Sequence, residues 1–314
     1  MKIKFFALLL TLCFLCGCGA GNQSLVSGNP EAVTFTDDLG RTVTVSSPKR
    51  VAALLGSFAQ VWQLAGGQVI ATADDAWDDF GLELPADAVN LGGTKHLSLE
   101  LLLSAQPDFI LASTNTRQNM ELQETLEATA IPVAYFDVFD FSDYLRLLDI
   151  CTDITGCKDR YETYGTAVEK EIESVIAQSK QRLRSGNSPK VLFLRASASA
   201  VHVKNSEGVV LGDILKNLGC INIADSDAAL LENLSMERIL EADPDFIFVV
   251  QQGDNAEGTR EYVQQFLEEH PAWAQLTAVK KNNVHFMEKR LFGLKPNHLW
   301  GQAYKQVEEI LTNG

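Results

Sequence analysis

A chain of 314 residues, 46% of them hydrophobic, exceeds one ordinary core and predicts two compact units. Its 41 acidic residues against 26 basic ones give a formal net charge of −15, which excludes the basic footprint that nucleic acid demands. Of six cysteines the three beyond the N-terminal leader, Cys151, Cys157 and Cys220, form no C-x-x-C pair, which argues against a zinc ribbon or a thioredoxin-like motif.

Lys2 and Lys4 precede the apolar run FFALLLTLCFL, Phe5 to Leu15, which is too short to span a bilayer as a permanent helix. Residues 1–17 therefore read as a signal peptide. The run ends in Leu15-Cys16-Gly17-Cys18, which resembles a bacterial lipobox and makes Cys18 the site of lipidation. Two or more acyl chains there anchor stably where one is marginal, each buried methylene contributing about 0.8 kcal/mol. Residues 18–32 lack apolar periodicity and read as the lipidated cysteine followed by a flexible tether. Cys151, Cys157 and Cys220 remain beyond the leader, and no structural disulfide is expected; a Cys151–Cys157 bridge would need Gly156 to turn the chain.

VTFTDDLGRTVTV, Val33 to Val45, alternates on both sides of Asp38-Leu39-Gly40 and predicts a hairpin with Gly40 at positive φ. The run VAALL after Arg50, a helical pattern through Phe58, Val61 and Trp62, the stop at Gly66-Gly67 and a strand at Val69-Ile70 suggest a parallel βαβ unit. In LSLELLLSAQPDFILAS, Leu97 to Ser113, Ser98 caps a helix, Pro107-Asp108 ends it, and Phe109 to Ala112 form a buried strand. A strand at Ile131 to Phe136 completes an N-terminal α/β lobe assigned to 33–141.

Residues 142–186 are helical in pattern, with Tyr161, Tyr164, Val168, Ile172, Val175 and Ile176 on one stripe. The last uninterrupted part, about 22 residues, gives a rod of ~33 Å that can join two lobes and fix their separation. A C-terminal α/β lobe over 187–314 then repeats the first, with KVLFLR after Pro189, a helix-then-glycine pattern over Val209 to Cys220, and LSMERILEADPDFIFVV from Leu234. A helical stretch from Tyr262 to Leu267, a strand at Asn283 to Met287 and a closing amphipathic helix from about Asn297 to Leu311 follow. The Leu234 segment lies 137 positions after its Leu97 counterpart and matches it at nine of seventeen positions. Unrelated segments share about one, so the chain carries an internal duplication.

Two α/β lobes, a long connecting helix and a lipobox together resemble the substrate-binding lipoproteins of ABC importers for iron–siderophore, haem and cobalamin, the class III periplasmic binding proteins. The resemblance is carried by DDLGRTVTVSSPKRV (Asp37 to Val51), the paired LS-x-E-x-x-L-x-x-x-P-D-F-I segments, SEGVVLGDILKNLGCINIA (Ser206 to Ala224) and KPNHLWGQAY (Lys295 to Tyr304). It implies two Rossmann-like lobes joined by a single long α-helix, with the ligand cleft between them. It also implies an ABC permease dimer with its ATPase on other chains as the partner. In that family a glutamate on each lobe docks onto permease arginines, and the matching positions are Glu100 and Glu237. The helix macrodipole alone favours acid in a first turn by about 0.3–1 kcal/mol, so a glutamate there also has a purely structural explanation.

Ligands approach the carboxyl ends of strands in α/β sheets, which directs attention to Trp77, Arg117, Tyr135, Arg195, Lys204 and Arg290. Gly56, Ser57, Phe58, Thr94 to His96, Asn115, Thr116, Phe136 to Phe139, His202, Gln251, Gln252 and Lys295 also follow predicted strands. Arg195 ends an apolar strand in an acidic protein, and a guanidinium holds carboxylate or catecholate oxygens bidentately. For each arginine the alternative is a solvated charge or an ion pair within its own lobe. Trp77, in DDAWDDF, either closes over ligand or packs on its lobe. Tyr135, His96, His202 and His298 are the axial-ligand options if the cargo is haem.

These features suit a non-enzymatic, extracytoplasmic, monomeric receptor for a metal chelate, first an iron(III)-siderophore, with cobalamin or haem as alternatives, and with no cofactor or resident metal of its own. A secreted lipoprotein enzyme on an α/β scaffold is the alternative of another class, and the sequence has no G-x-S-x-G, H-E-x-x-H or P-loop to support it. Bare metal would call for converging His, Asp or Glu ligands, whereas the five histidines are scattered.

Overall fold

The computed structural model describes residues 32–184 and 186–314, and Ala32–Gly314 form one compact unit. The assigned signal peptide and Cys18 lie outside the described residues. Strands β1 (Val33–Thr36) and β2 (Thr42–Val45) pair antiparallel as the predicted hairpin, and Gly40 takes φ 75° at its turn. Buried Asp37 ties the hairpin to the lobe by accepting hydrogen bonds from the Arg41 guanidinium and the Tyr135 backbone N–H.

The first parallel sheet contains β3 (Val51–Ala53), β4 (Val69–Thr72), β5 (Val89–Asn90), β6 (Phe109–Ser113) and β7 (Val133–Phe136), in the order β5-β4-β3-β6-β7. The second contains β8 (Lys190–Ser197), β9 (Ala200–Lys204), β10 (Ile221–Asn222), β11 (Phe246–Gln251) and β12 (Val284–Met287), in the order β10-β8-β11-β12. β9 folds back antiparallel along β8. It was not anticipated from the sequence, because AVHVK follows β8 after only a two-residue turn and reads as its continuation.

Side chains alternate across each strand, and the two faces feed different cores. Ala52, Ile110 and Tyr135 pack into a core confined to the first lobe, and Leu192, Leu194 and Ile247 into one confined to the second. Their neighbours Val51, Phe109 and Phe136 from the first sheet, and Phe193, Phe246 and Phe248 from the second, belong to a single shared core. The connecting helices and the closing helix Trp300–Asn313 complete that core through Leu148, Ile172, Val175 and Val307. The sheets are therefore bonded by one continuous apolar interior rather than by a bare linker.

The connection begins with helix Phe141–Thr155, started by a reciprocal capping box between Asp140 and Asp143. Gly156 ends it in the left-handed conformation, φ 74°, which a residue with a Cβ adopts at a cost. The long connecting helix then runs from Lys158 to Arg184 with one π-turn at Glu162–Thr166. Cys151, Cys157 and Cys220 are free thiols, Cys151 fully buried.

The Pro-Asp of the duplicated segment has a structural role. Asp108 accepts the backbone N–H groups of Lys49 and Arg50 at 2.7 and 2.8 Å, clamping the entry to β3. Asp245 accepts that of Lys190 at 2.9 Å at the entry to β8. In both lobes the aspartate before one strand fixes the register of its neighbour.

Candidate functional site

The wall from the first lobe is set by a glycine. A Cβ on Gly56 would lie 2.5 Å from the Ala76 nitrogen, so only glycine lets the short helix Asp75–Asp78 press against the end of β3. The contact is locked by the Gly56 N–H, which donates to Asp75 Oδ1 at 2.8 Å. The carboxylates of Asp74, Asp75, Asp78 and Asp79 consequently line the cleft, with Phe80 beside them. Burial, reinforced by Asp79 and Asp74 and opposed by the Gly56 N–H, pushes the Asp75 pKa up to about 6.

The opposite wall carries cations. Arg195 projects from β8, and its guanidinium donates to the Gly293 carbonyl at 3.3 Å. Lys295 lines the cleft half-buried, its ammonium 5.9 Å from the Phe58 ring centroid. Neither has a carboxylate partner among the described residues, and burial lowers the pKa of both. A π-turn at Lys289–Gly293 brings Lys289 to the rim, where its Nζ lies 2.6 Å from Asp79 Oδ1 across the cleft and 2.5 Å from Asp254 Oδ1 on its own lobe. Burial works against the Lys289 ammonium, but the bonds to Asp254 and Asp79 outweigh it and raise its pKa.

Beneath the cleft the lobes meet in a polar seam. Gln60 Oε1 accepts from Arg290 at 2.8 Å and from Asn297 Nδ2 at 2.9 Å, and Asn297 also donates to the Ser57 carbonyl. The Arg290 guanidinium lies 4.3 Å from the centroid of Phe80. The open cleft above this seam has a volume of about 1020 Å³, ample for a large chelate.

Of the residues singled out from the sequence, Arg195 and Lys295 line the cleft from the second lobe, and Ser57, Thr94 to His96, Asn115, Thr116, Val138, Phe139 and Gln252 line it too. The others lie elsewhere. Arg117 has 92% of its side chain exposed and pairs with Glu121 at 2.7 Å, as the surface alternative allowed. Tyr135 is fully buried on the face of β7 that looks into the first lobe's own core, where it donates to the Asn119 carbonyl and burial raises its pKa to about 12. Lys204 is in the antiparallel strand β9, whose pairing with β8 leads it away from the cleft. Arg290 is committed to the seam, and Trp77 shares the acidic turn but is not among the lining residues. Of the haem-ligand options only His96 lines the cleft.

Sequence reasoning missed the acidic wall, Lys289 and Asp254. The signal is present in DDAWDDF, where four carboxylates surround the tryptophan. Among the described residues no group of three or more His, Cys, Asp or Glu is arranged to hold a metal ion.

The sequence profile of the periplasmic binding protein family matches residues 51–291, which span both sheets. The chain belongs to that family. Its members are substrate-binding transport proteins rather than enzymes. Among relatives, the chain is 26% identical over 292 residues to the Fe(3+)-citrate-binding protein YfmC of Bacillus subtilis (strain 168), covering 90% of this chain and 88% of that protein. It is 25% identical over 175 residues to the high-affinity heme uptake system protein IsdE of Staphylococcus aureus (strain MRSA252), covering 54% of this chain and 59% of that one. The crystal structure of Staphylococcus aureus SirA complexed with staphyloferrin B shares the fold, with a TM-score of 0.69 at 19% identity over 89% of this chain and 98% of that one.

Proposed function

We propose that this periplasmic binding protein captures an iron(III) chelate outside the cytoplasm and delivers it to an ABC importer. The observation that carries the reading is the pair Arg195 and Lys295, two cations without carboxylate partners held in a cleft of about 1020 Å³. An unpaired buried cation costs desolvation free energy, and an anionic cargo offsets it. Relatives named for Fe(3+)-citrate binding and for iron uptake support the same cargo class. Haem is the second reading, favoured by a relative over half the chain and by His96 at the rim.

The protein is held at the membrane as a monomer through a lipid on Cys18. Glu100 and Glu237 serve as its docking carboxylates for the permease. Both are exposed in the first turn of helices capped by Ser98 and Ser235, and neither has a side-chain partner among the described residues.

Tryptophan fluorescence tests the cargo assignment, using the chain from Gly19 onward titrated with ferric citrates, catecholates and hydroxamates, haem, cobalamin and bare metal ions. Saturable quenching by a class of ferric chelates is expected. Silence across the ferric panel in a folded protein would overturn the reading, and saturation by haem alone would replace it with the second.

A further inference from the structure

The two walls of the cleft differ in the sign of their charge. Among the described residues, Asp74 and Asp78 have no side-chain hydrogen bond or ion pair, although both line the cleft. Facing them are Arg195 and Lys295, likewise without a carboxylate partner and both half-buried. Lys95 and His96, on the acidic wall's own lobe, stand exposed at the rim and contact neither aspartate. A wholly anionic cargo would satisfy the cations but bring like charge against Asp74 and Asp78. A wholly cationic one would do the reverse.

The molecule itself shows what the acidic wall accepts. Where the lobes come together at the rim, Lys289 places a primary ammonium against this turn, within 2.6 Å of Asp79. Half-buried Asp74 and exposed Asp78, in the same turn, offer the same chemistry to the cleft.

We propose that the cargo is a zwitterionic ferric chelate, with anionic oxygens directed at Arg195 and Lys295 and a peripheral ammonium directed at Asp74 and Asp78. This rests on the iron-chelate reading and narrows it: the two aspartates select amine-bearing chelates over chelates that are anionic all round.

The test uses two ferric complexes of one citrate-based chelator, one with a free primary amine and one with that amine acetylated, titrated calorimetrically into the chain from Gly19 onward. A charge-assisted hydrogen bond predicts that the free amine binds about 10–100-fold more tightly. In Asp74→Asn/Asp78→Asn the ratio should collapse towards one, with circular dichroism confirming the fold. Equal affinity for the two complexes, or an unchanged ratio in the double variant, overturns the proposal. If neither complex binds while another ferric chelate does, the proposal falls and the iron-chelate reading stands. If no ferric chelate binds at all, both fall.

Discussion

In the first lobe the Gly56 N–H donates to Asp75, nineteen positions later; in the second the Ser206 N–H donates to Asp225, again nineteen positions later. The Asp108 clamp on β3 and the Asp245 clamp on β8 are matched in the same way. Yet Asp75 faces the cleft, whereas Asp225 is also bonded to the Ser206 hydroxyl and lies off it. Along the upper part of β8 the antiparallel strand β9 runs on the side that β4 occupies beside β3. The two copies therefore share the bonds that fix strand register and diverge in the groups turned towards the cargo. Duplication supplied a frame, and the opposed charges of the cleft come from what each copy hung upon it.

The comparison breaks most readily at the shared core. Phe109 and Phe246 are the same letter of the duplicated segment, and both feed the interior that joins the sheets. Truncating either to alanine should cost about 3–5 kcal/mol, with a single cooperative transition in urea. Two separate transitions would mean that the lobes are independent folding units. Asp108→Ala, which orphans two backbone N–H groups, should cost about 2 kcal/mol, and Asp245→Ala, which orphans one, about 1 kcal/mol. Equal losses would show that the two clamps are not sensitive to their bond count.

Asp75 sharpens the contrast between the walls. Its folded pKa of about 6 exceeds the unfolded value, so the native state binds the extra proton, and this contribution to stability falls as pH rises from about 4 through 6. Asp75→Asn keeps an oxygen acceptor for Gly56 and removes the buried charge. It should raise stability at pH 7 by about 1 kcal/mol after solvent screening and flatten the melting profile between pH 4 and 7. An unaltered profile would place the titrating group elsewhere. The smallest effect concerns motion: with one core and the Gln60 seam joining the lobes, the radius of gyration should stay near ~19 Å with or without cargo by small-angle scattering. A marked compaction would contradict the single-core account.

Most of the frame was legible because strand runs such as VLFL and FIFVV admit few other structures, and because the repeat announced itself at nine of seventeen positions. The cleft was legible only in part. β7 is buried on both faces, so VAYF offers no alternation to show that Tyr135 points into its own lobe and not to cargo. The acidic wall depends on the approach of Gly56 to Ala76, twenty residues apart, and an acidic loop in an acidic chain otherwise reads as solvated surface. Lys289 reaches the rim only through a π-turn, which has no pattern a single sequence displays.

The central claim is that one cleft, acidic on one side and cationic on the other, holds a ferric chelate. The most direct measurement is a crystal of the cargo-saturated protein with anomalous diffraction collected at the iron edge. The account predicts an iron peak in the space between the Asp75–Asp78 turn and the Arg195 and Lys295 side chains. A peak outside that space, or saturable binding in solution without iron in the cleft, would contradict it.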